Sequence, residues 1–368
     1  MSKLRLLIVE DAEQDLEILR DVVDDYTRDQ QQDIDLVECK TLDEALMKLD
    51  NSFDGAIIDL KLADQGDEGS RIVEVIGESF FRIPIAILTG NPGNWHDSLK
   101  EKIMLMDDKV FIKGETGYDE LQNLLHRFWD IYNTGLTRIM GGRGEIEKNL
   151  SQVFLNNLQP HLQTWVAYAE KASERTEKAL LRYTLNHLLQ LLEEEEERSF
   201  PEEVFPEEVY LYPPVLNRIT TGSIVRADDK WFAVLSPACD LVLRRNGNFK
   251  TDRILLVEIE RENDIVSTAL DGIRNKSKKR DKLRTVFGNN HTAYYHWLPK
   301  TSFFDGGFLN FRKLQSLNKA EFEKFGKPLI QISPTFVKDI IARFSSFYAR
   351  QGQPEIESQG FVTRYTDS

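Results

Sequence analysis

Long apolar runs are missing from this chain, and none reaches the length that spans a bilayer. The opening "MSKLRLLIVEDAEQD" turns acidic after six apolar residues, too few for a signal peptide. Cysteine is nearly absent: Cys39 and Cys239 are the only two, at a separation that fits no zinc or redox motif. These absences set a reducing, cytoplasmic, non-membrane location as the expectation. Excess positive charge is missing too. The net charge of −14 excludes non-specific nucleic-acid binding by the chain as a whole, although a local basic patch remains compatible with it. There is no GxGxxG, no P-loop, no helix-turn-helix signature and no internal repeat.

What is present begins with an alternation. At 368 residues the chain is long enough for two or three domains. Its first third alternates short apolar runs with amphipathic segments, the rhythm of a doubly wound parallel sheet. Strands are expected at 4–9, 34–39, 55–60, 83–88 and 109–113, with helices between them and a last one at 117–132. This gives a flavodoxin-like (βα)5 domain over 1–134. The glycines of "GLTRIMGGRGE" (135–145) read as a linker, and 145–199 as a helical hairpin with Pro160 at a helix boundary. After the acidic run 193–197, a strand-rich α+β domain is expected over 205–352, built on a small barrel or sheet. Its turn signals are Asp228-Asp229 and Asn246-Gly247, and its last helix is capped by Ser333 and opened by Pro334. Residues 353–368 read as a flexible tail.

In the stretch "FDGAIIDLKLADQGDEG" (53–69) an apolar strand runs into a lone carboxylate, Asp59. Glu10 and Asp11 close the first strand, which neighbours the third in a doubly wound sheet, so three carboxylates converge where such sheets bind ligands. Without a cation they would repel and raise one another's pKa. Few, hard oxygen ligands describe a Mg²⁺ site, with the Lys61 carbonyl able to complete it. Thr89 and Lys113 end two further strands on the same edge. A hydroxyl and an ammonium beside a metal-bound carboxylate are what phosphoryl transfer needs, with Asp59 as nucleophile and future aspartyl phosphate. Taken singly, each of these residues reads as a solvated loop residue; it is their register that points to a site.

"LLIVEDAEQD", "GAIIDLKL", "IPIAILTG" and "VFIKG" resemble the four signature segments of the response-regulator receiver domain of two-component signalling. The resemblance implies phosphotransfer from a sensor histidine kinase to Asp59, Mg²⁺ dependence, and a switch in which Thr89 moves toward the phosphate. The chain departs from the family pattern in three places. Ala63 and a longer acidic loop stand where the family has proline and then glycine, Gly114 follows Lys113 in place of proline, and Val110 holds the position of the switch aromatic.

The remainder carries weaker signals. His161 and His187 lie on the helical pair and read as surface or interface histidines, on a hairpin that could form a homodimer. Cys239, beside Asp240 in "VLSPACDLVL", reads as a buried structural cysteine, with His291 and His296 the nearby candidate bases if it were a nucleophile. "GSIVRADDKWFAVLSP" faintly resembles the opening strands of MazF-type toxin ribonucleases. "RNKSKKRDKLR" (274–284) has seven basic residues against one acid, followed by Phe287, Tyr294, Tyr295 and Trp297. It reads as a solvated loop and core strand, or as a surface for single-stranded nucleic acid. The expectation is therefore a Mg²⁺-dependent response regulator that is no enzyme beyond its own phosphoryl chemistry, with a non-DNA-binding C-terminal region. It could serve as a phosphate sink sharing its kinase with a second regulator, as in the antiviral phosphorelays of bacteria that the domain arrangement loosely resembles. The alternatives are a nucleic-acid-binding or RNA-cleaving effector over 205–350, and a pseudo-receiver scaffold.

Overall fold

Five parallel strands order the first part of the computed structural model: β1 (Leu4–Val9), β2 (Ile34–Cys39), β3 (Gly55–Ile58), β4 (Pro84–Thr89) and β5 (Met104–Ile112). The structure describes residues 3–62, 68–79, 81–140, 145–193, 204–227, 229–245, 249–350 and 358–366. Most of the acidic loop (63–67, with Ala63), the boundary 194–203, Asp228, the Asn246-Gly247 turn and 351–357 lie outside them. The chain divides into two compact units, Met1–Ser199 and Phe200–Ser368.

The sheet order is β2-β1-β3-β4-β5, the flavodoxin-like order. Its inner strands β3 and β4 are buried and apolar on both faces because both faces are covered, whereas the edge strands β2 and β5 carry charged residues. Leu4, Leu6 and Ile8 of β1 pack with α1 (Glu13–Gln30) and with the helix Tyr118–Asn133. Leu7 and Val9 pack on the other face with α2 (Leu42–Lys48) and α3 (Glu68–Glu78).

The crossover from β4 to β5 differs from the expected helix. "NPGNWHDSL" forms two short 3₁₀ turns, Pro92–Asn94 and Asp97–Leu99, because proline and glycine interrupt a helix before it can propagate. α4 is therefore Tyr118–Asn133, after β5. β5 itself begins earlier than the sequence suggests and is broken by a bulge. Its register against β4 jumps between Ile85 and Ile87, with Asp107 and Asp108 both left-handed at φ 57° and 52°. The glycine-rich stretch expected as a linker carries α5 (Leu136–Met140), tied down by Thr137 Oγ1 donating to Asp54 Oδ1 at 2.5 Å.

Helix α6 (Glu145–Val153) runs into a π-helical turn, Phe154–Leu158, and a 3₁₀ turn, Gln159–His161. Pro160 accounts for this disturbance: it cannot donate to the carbonyl four residues back, and its ring displaces that carbonyl. α7 (Leu162–Glu193) then bends back at Ala172 (φ −163°, ψ 76°). Trp165 and Tyr183 meet with ring centroids 5.5 Å apart, which a straight helix would hold far from each other, so the segment is a hairpin.

The second unit is an antiparallel open sheet, not a barrel. Its strands β6 (Tyr210–Leu211), β7 (Ser223–Ala227), β8 (Lys230–Val234), β9 (Ile254–Glu260), β10 (Tyr295–Leu298), β11 (Gly307–Leu317) and β12 (Ile330–Ile332) run in the order β10-β11-β9-β8-β7-β12-β6. Its helices are α8 (Glu262–Leu270), α9 (Lys276–Phe287), α10 (Lys319–Phe322), α11 (Pro334–Ala349) and α12 (Gln359–Thr366). α12 lies within the tail expected to be loose. α11 opens on Ser333 and Pro334 as expected, although the Ser333 side chain makes no capping bond. Phe336, Val337, Ile340 and Phe344 lay its apolar stripe on Leu309, Phe311 and Ile332. "SPACDL" is turn rather than strand, and Cys239 is exposed, contrary to the expected burial. Among the described residues no helix is long and apolar enough to cross a membrane.

His296 is buried on β10. Burial, reinforced by Arg343, pushes its imidazole down to about 3, and the Asp339 carboxylate 3.8 Å away does not reverse this. The unfolded chain would take a proton near pH 6.5 while the folded one refuses it until about pH 3. Stability should therefore fall between those limits as pH decreases, by up to about 1.4 kcal/mol per pH unit from this group. Denaturant melts followed in the Trp297 region should show that slope, and a folded His296→Gln variant should lack it.

Candidate functional site

The carboxyl edge of the parallel sheet collects the expected residues. Glu10 and Asp11 follow β1, Asp59 follows β3, Thr89 ends β4, and Lys113 follows β5. Backbone bonds fix these strand ends. Glu10 N donates to the Cys39 carbonyl, Asp59 N to that of Val9 and Lys113 N to that of Thr89, at 3.0, 2.9 and 3.1 Å. Glu10, Asp59 and Thr89 are buried, and Asp11 is exposed.

Lys113 Nζ lies 2.5 Å from Glu10 Oε2, 2.7 Å from Asp59 Oδ2 and 2.9 Å from Asp15 Oδ2. Burial is the largest single influence on this ammonium and opposes its charge, but its three carboxylate partners outweigh burial and hold its pKa above the usual lysine value. Glu10 shows the opposite balance. Burial and the Asp59 charge push its carboxyl up, and the bonds from Lys113 and from the Ala12 N–H (3.0 Å) offset only part of that rise. Oxygens of Glu10, Asp11 and Asp59 lie within 4.8 Å of one another. With Asp15 this makes four carboxylates against one ammonium, an excess of about three negative charges that one lysine cannot neutralise. Hard oxygen donors with residual negative charge fit a Mg²⁺ ion.

Two further groups belong to this edge. Lys61 N donates to Asp59 Oδ1 at 3.1 Å, so it is the N–H of Lys61 that the structure brings to the carboxylate. Thr89 Oγ1 accepts from Asn91 N at 3.2 Å. Of the residues expected at this edge, the contacts bring together Glu10, Asp11, Asp59 and Lys113, and Thr89 ends the neighbouring strand.

The sequence reading missed Asp15 and Gly69. Asp15 lies in the first turn of α1, which starts from the same edge, and the acid-rich "EDAEQD" was the available signal. Gly69 begins α3 with its N–H on the Leu60 carbonyl at 3.2 Å, and a Cβ built there would lie 1.8 Å from the Asp59 carbonyl oxygen. After the long acidic loop, this glycine supplies the close approach that the backbone at Asp59 needs. Of the departures, Gly114 adopts φ +80°, which proline cannot take, so the chain leaves Lys113 along a different path. Val110 packs half-buried against the α2–α3 face.

The histidines and Cys239 form no second centre. His187 Nδ1 pairs with the Tyr183 carbonyl at 2.8 Å, and His161 is exposed. Cys239 Sγ lies 3.6 Å from Asp240 Oδ1, whereas His291 pairs with Lys282 and His296 faces Asp339.

No protein-family model matches the chain, and no curated protein matches it. Solved structures do, over its N-terminal third. A CheY-like receiver domain from Methanospirillum hungatei JF-1 is 21% identical, with all of that chain covering 36% of this one at a TM-score of 0.29. The non-phosphorylated HemR receiver domain from Leptospira biflexa is 26% identical, with 94% of it covering 34% of this chain at a TM-score of 0.27. The response regulator TrrA from Thermotoga maritima, in complex with Mg²⁺-BeF, is 19% identical, with 99% of it covering 34% at 0.27.

Gly69→Ala should destabilise the first unit by about 1–3 kcal/mol through overpacking against the Asp59 backbone. Gly90→Ala, beside Thr89 but with no atom within 4 Å of the added carbon, should stay within about 0.5 kcal/mol of the parent. Thermal melts of the two variants check this contrast.

Proposed function

We propose that the first unit is a phosphoacceptor of the response-regulator receiver type, charged on Asp59 by a sensor histidine kinase. The observation that carries this reading is the contact of one buried-edge ammonium, Lys113, with Glu10, Asp15 and Asp59 at 2.5–2.9 Å. A salt bridge built only for stability would not leave so large an excess of carboxylate around it. Glu10, Asp11, Asp59 and the Lys61 carbonyl would hold Mg²⁺, which when bound would neutralise charge on the incoming phosphoryl oxygens.

The chain's own groups then divide the work. An Asp59 carboxylate oxygen attacks phosphorus as the phosphorus–nitrogen bond of the donor phosphohistidine breaks, its electron pair leaving on the imidazole nitrogen. Lys113 exchanges its contact with Asp59 Oδ2 for a phosphoryl oxygen. The Thr89 hydroxyl, already accepting from Asn91 N, keeps its proton to donate to another. Hydrolysis at phosphorus returns the carboxylate and inorganic phosphate. In this reading a second regulator sharing the kinase would compete for the same phosphoryl group, the arrangement a phosphate sink requires.

The hairpin supports self-association. Phe154, Leu155, Leu162, Leu181, Leu185 and Leu189 are each at least half exposed, and seven leucines fall between 180 and 192. The leucines of 180–192 cover about half of the helix circumference, a stripe that belongs in a bundle, and two copies of a hairpin complete a four-helix one.

Acetyl phosphate with Mg²⁺ should add the mass of one phosphoryl group to the intact protein. Chelation should abolish the gain, and Asp59→Asn should remove it; no gain in the parent would favour a phosphate-inert scaffold. Light scattering should report a dimer that Leu181→Glu/Leu185→Glu converts to a folded monomer.

A further inference from the structure

Two large clefts on the second unit differ in charge. One, of about 550 Å³ beside β8, β9 and β11, neutralises itself. Lys230 pairs with Glu258 at 3.0 Å, and Lys313 pairs with Glu258 and Glu260 at 3.2 and 2.6 Å. The other, about 610 Å³, lies between the loop 289–293 and the last turns of α11, and among the described residues no carboxylate lines it. His291, Arg343, Arg350 and the Asn289 and Asn290 amides line its walls with Phe347. In a chain of net charge −14 such a lining is unusual.

The cleft is continuous with the basic helix α9. Lys282 Nζ lies 3.1 Å from His291 Nδ1, and Lys276, Lys278, Lys279, Arg280 and Arg284 project from the same helix into solvent. The segment read from sequence as a solvated loop is thus a cationic rod about 18 Å long that leads into the cleft. Two buried polar atoms in the cleft lining, Thr292 Oγ1 and Arg343 Nε, have no hydrogen-bond partner among the described residues. The remaining Arg343 hydrogen bonds go to the Asn289 and Tyr295 carbonyls at 2.7 and 3.4 Å, which hold the guanidinium at the cleft. Arg350 lies 4.6 Å over the Phe347 ring, forming a flat, charged wall of the kind on which a base can stack.

We propose that α9 and the 289–293/α11 cleft bind single-stranded nucleic acid, the phosphates tracking along α9 and one nucleotide entering the cleft. The volume suits a single nucleotide, within the usual ligand-pocket range of about 300–1,000 Å³, whereas the cationic run is too extended for a mononucleotide alone. A polymer uses both. This site is independent of the phosphoacceptor reading.

The test is fluorescence anisotropy of the full chain with labelled single-stranded RNA and DNA of about 12 nucleotides. Duplexes of the same sequence, AMP and an acidic peptide serve as competitors. Contact with about four phosphates predicts an affinity falling roughly fifty-fold between about 50 and 200 mM salt. Lys278→Ala/Lys279→Ala/Lys282→Ala should weaken binding at least tenfold and flatten that salt dependence. Arg350→Ala should weaken it several-fold, with thermal melts unchanged in both variants. The RNA and DNA arms separate the two sources of phosphodiester. Absence of binding at low salt, full competition by AMP or the acidic peptide at equal concentration, or parental affinity in both variants would each overturn the proposal.

Discussion

One ammonium holds the carboxyl edge of the parallel sheet together. Lys113 reaches three carboxylates delivered by β1, α1 and β3, and burial makes every one of those charges costly unless it is compensated. The compensation is incomplete. Burial and the Asp59 charge push Glu10 upward in spite of Lys113, and Asp11 adds a further carboxylate within 4.8 Å of Glu10 and Asp59. A site left negative in this way is poised for a hard cation and, through it, for a group with oxygens of its own. The proposed chemistry of the first unit follows from that imbalance.

The scaffold keeps this edge while altering what lies beside it. β4 joins β5 through two 3₁₀ turns, β5 is bulged at Asp107 and Asp108, and the chain leaves Lys113 through a left-handed Gly114. Each change lies in a connection or within β5, away from the strand-end backbone bonds. The strand-end bonds of Glu10, Asp59 and Lys113 join neighbouring chain segments across the sheet, so loops can vary without moving the carboxylates. Val110, half-buried on the α2–α3 face, stands where the resembled family carries its switch aromatic and offers no ring there.

Much of this was legible in the sequence because strand-end residues are set by the alternation of apolar runs. Glu10, Asp11, Asp59, Thr89 and Lys113 could be placed on one edge without coordinates. Asp15 could not, since its role depends on where α1 starts relative to the sheet. Gly69 was hidden because the long acidic loop separates it from Asp59, and only the backbone path brings the two together. The β4–β5 connection was misread as a helix because its apolar residues carry a weak helical rhythm that Pro92 and Gly93 override. Cys239 was expected inside on the strength of its residue type, yet "SPACDL" turns at the surface. In the second unit the sequence marked the strand-rich stretch 222–260 and a core strand after the basic run, but not β6, β11, β12 or the strand order, because antiparallel pairings between distant segments leave no local mark.

The two units pose different electrostatic problems within one acidic chain. The first concentrates negative charge at a sheet edge, and the second, among its described residues, lines a cleft without carboxylates beside a cationic helix. The central claim concerns the first. It is tested most directly by ¹⁹F NMR of the protein with beryllofluoride, a mimic of the phosphoryl group. Protein-bound fluoride resonances should arise only when beryllium, fluoride and Mg²⁺ are all present, and should vanish in Asp59→Asn. Bound resonances that persist in that variant, or none in the parent at saturating Mg²⁺, would contradict the account.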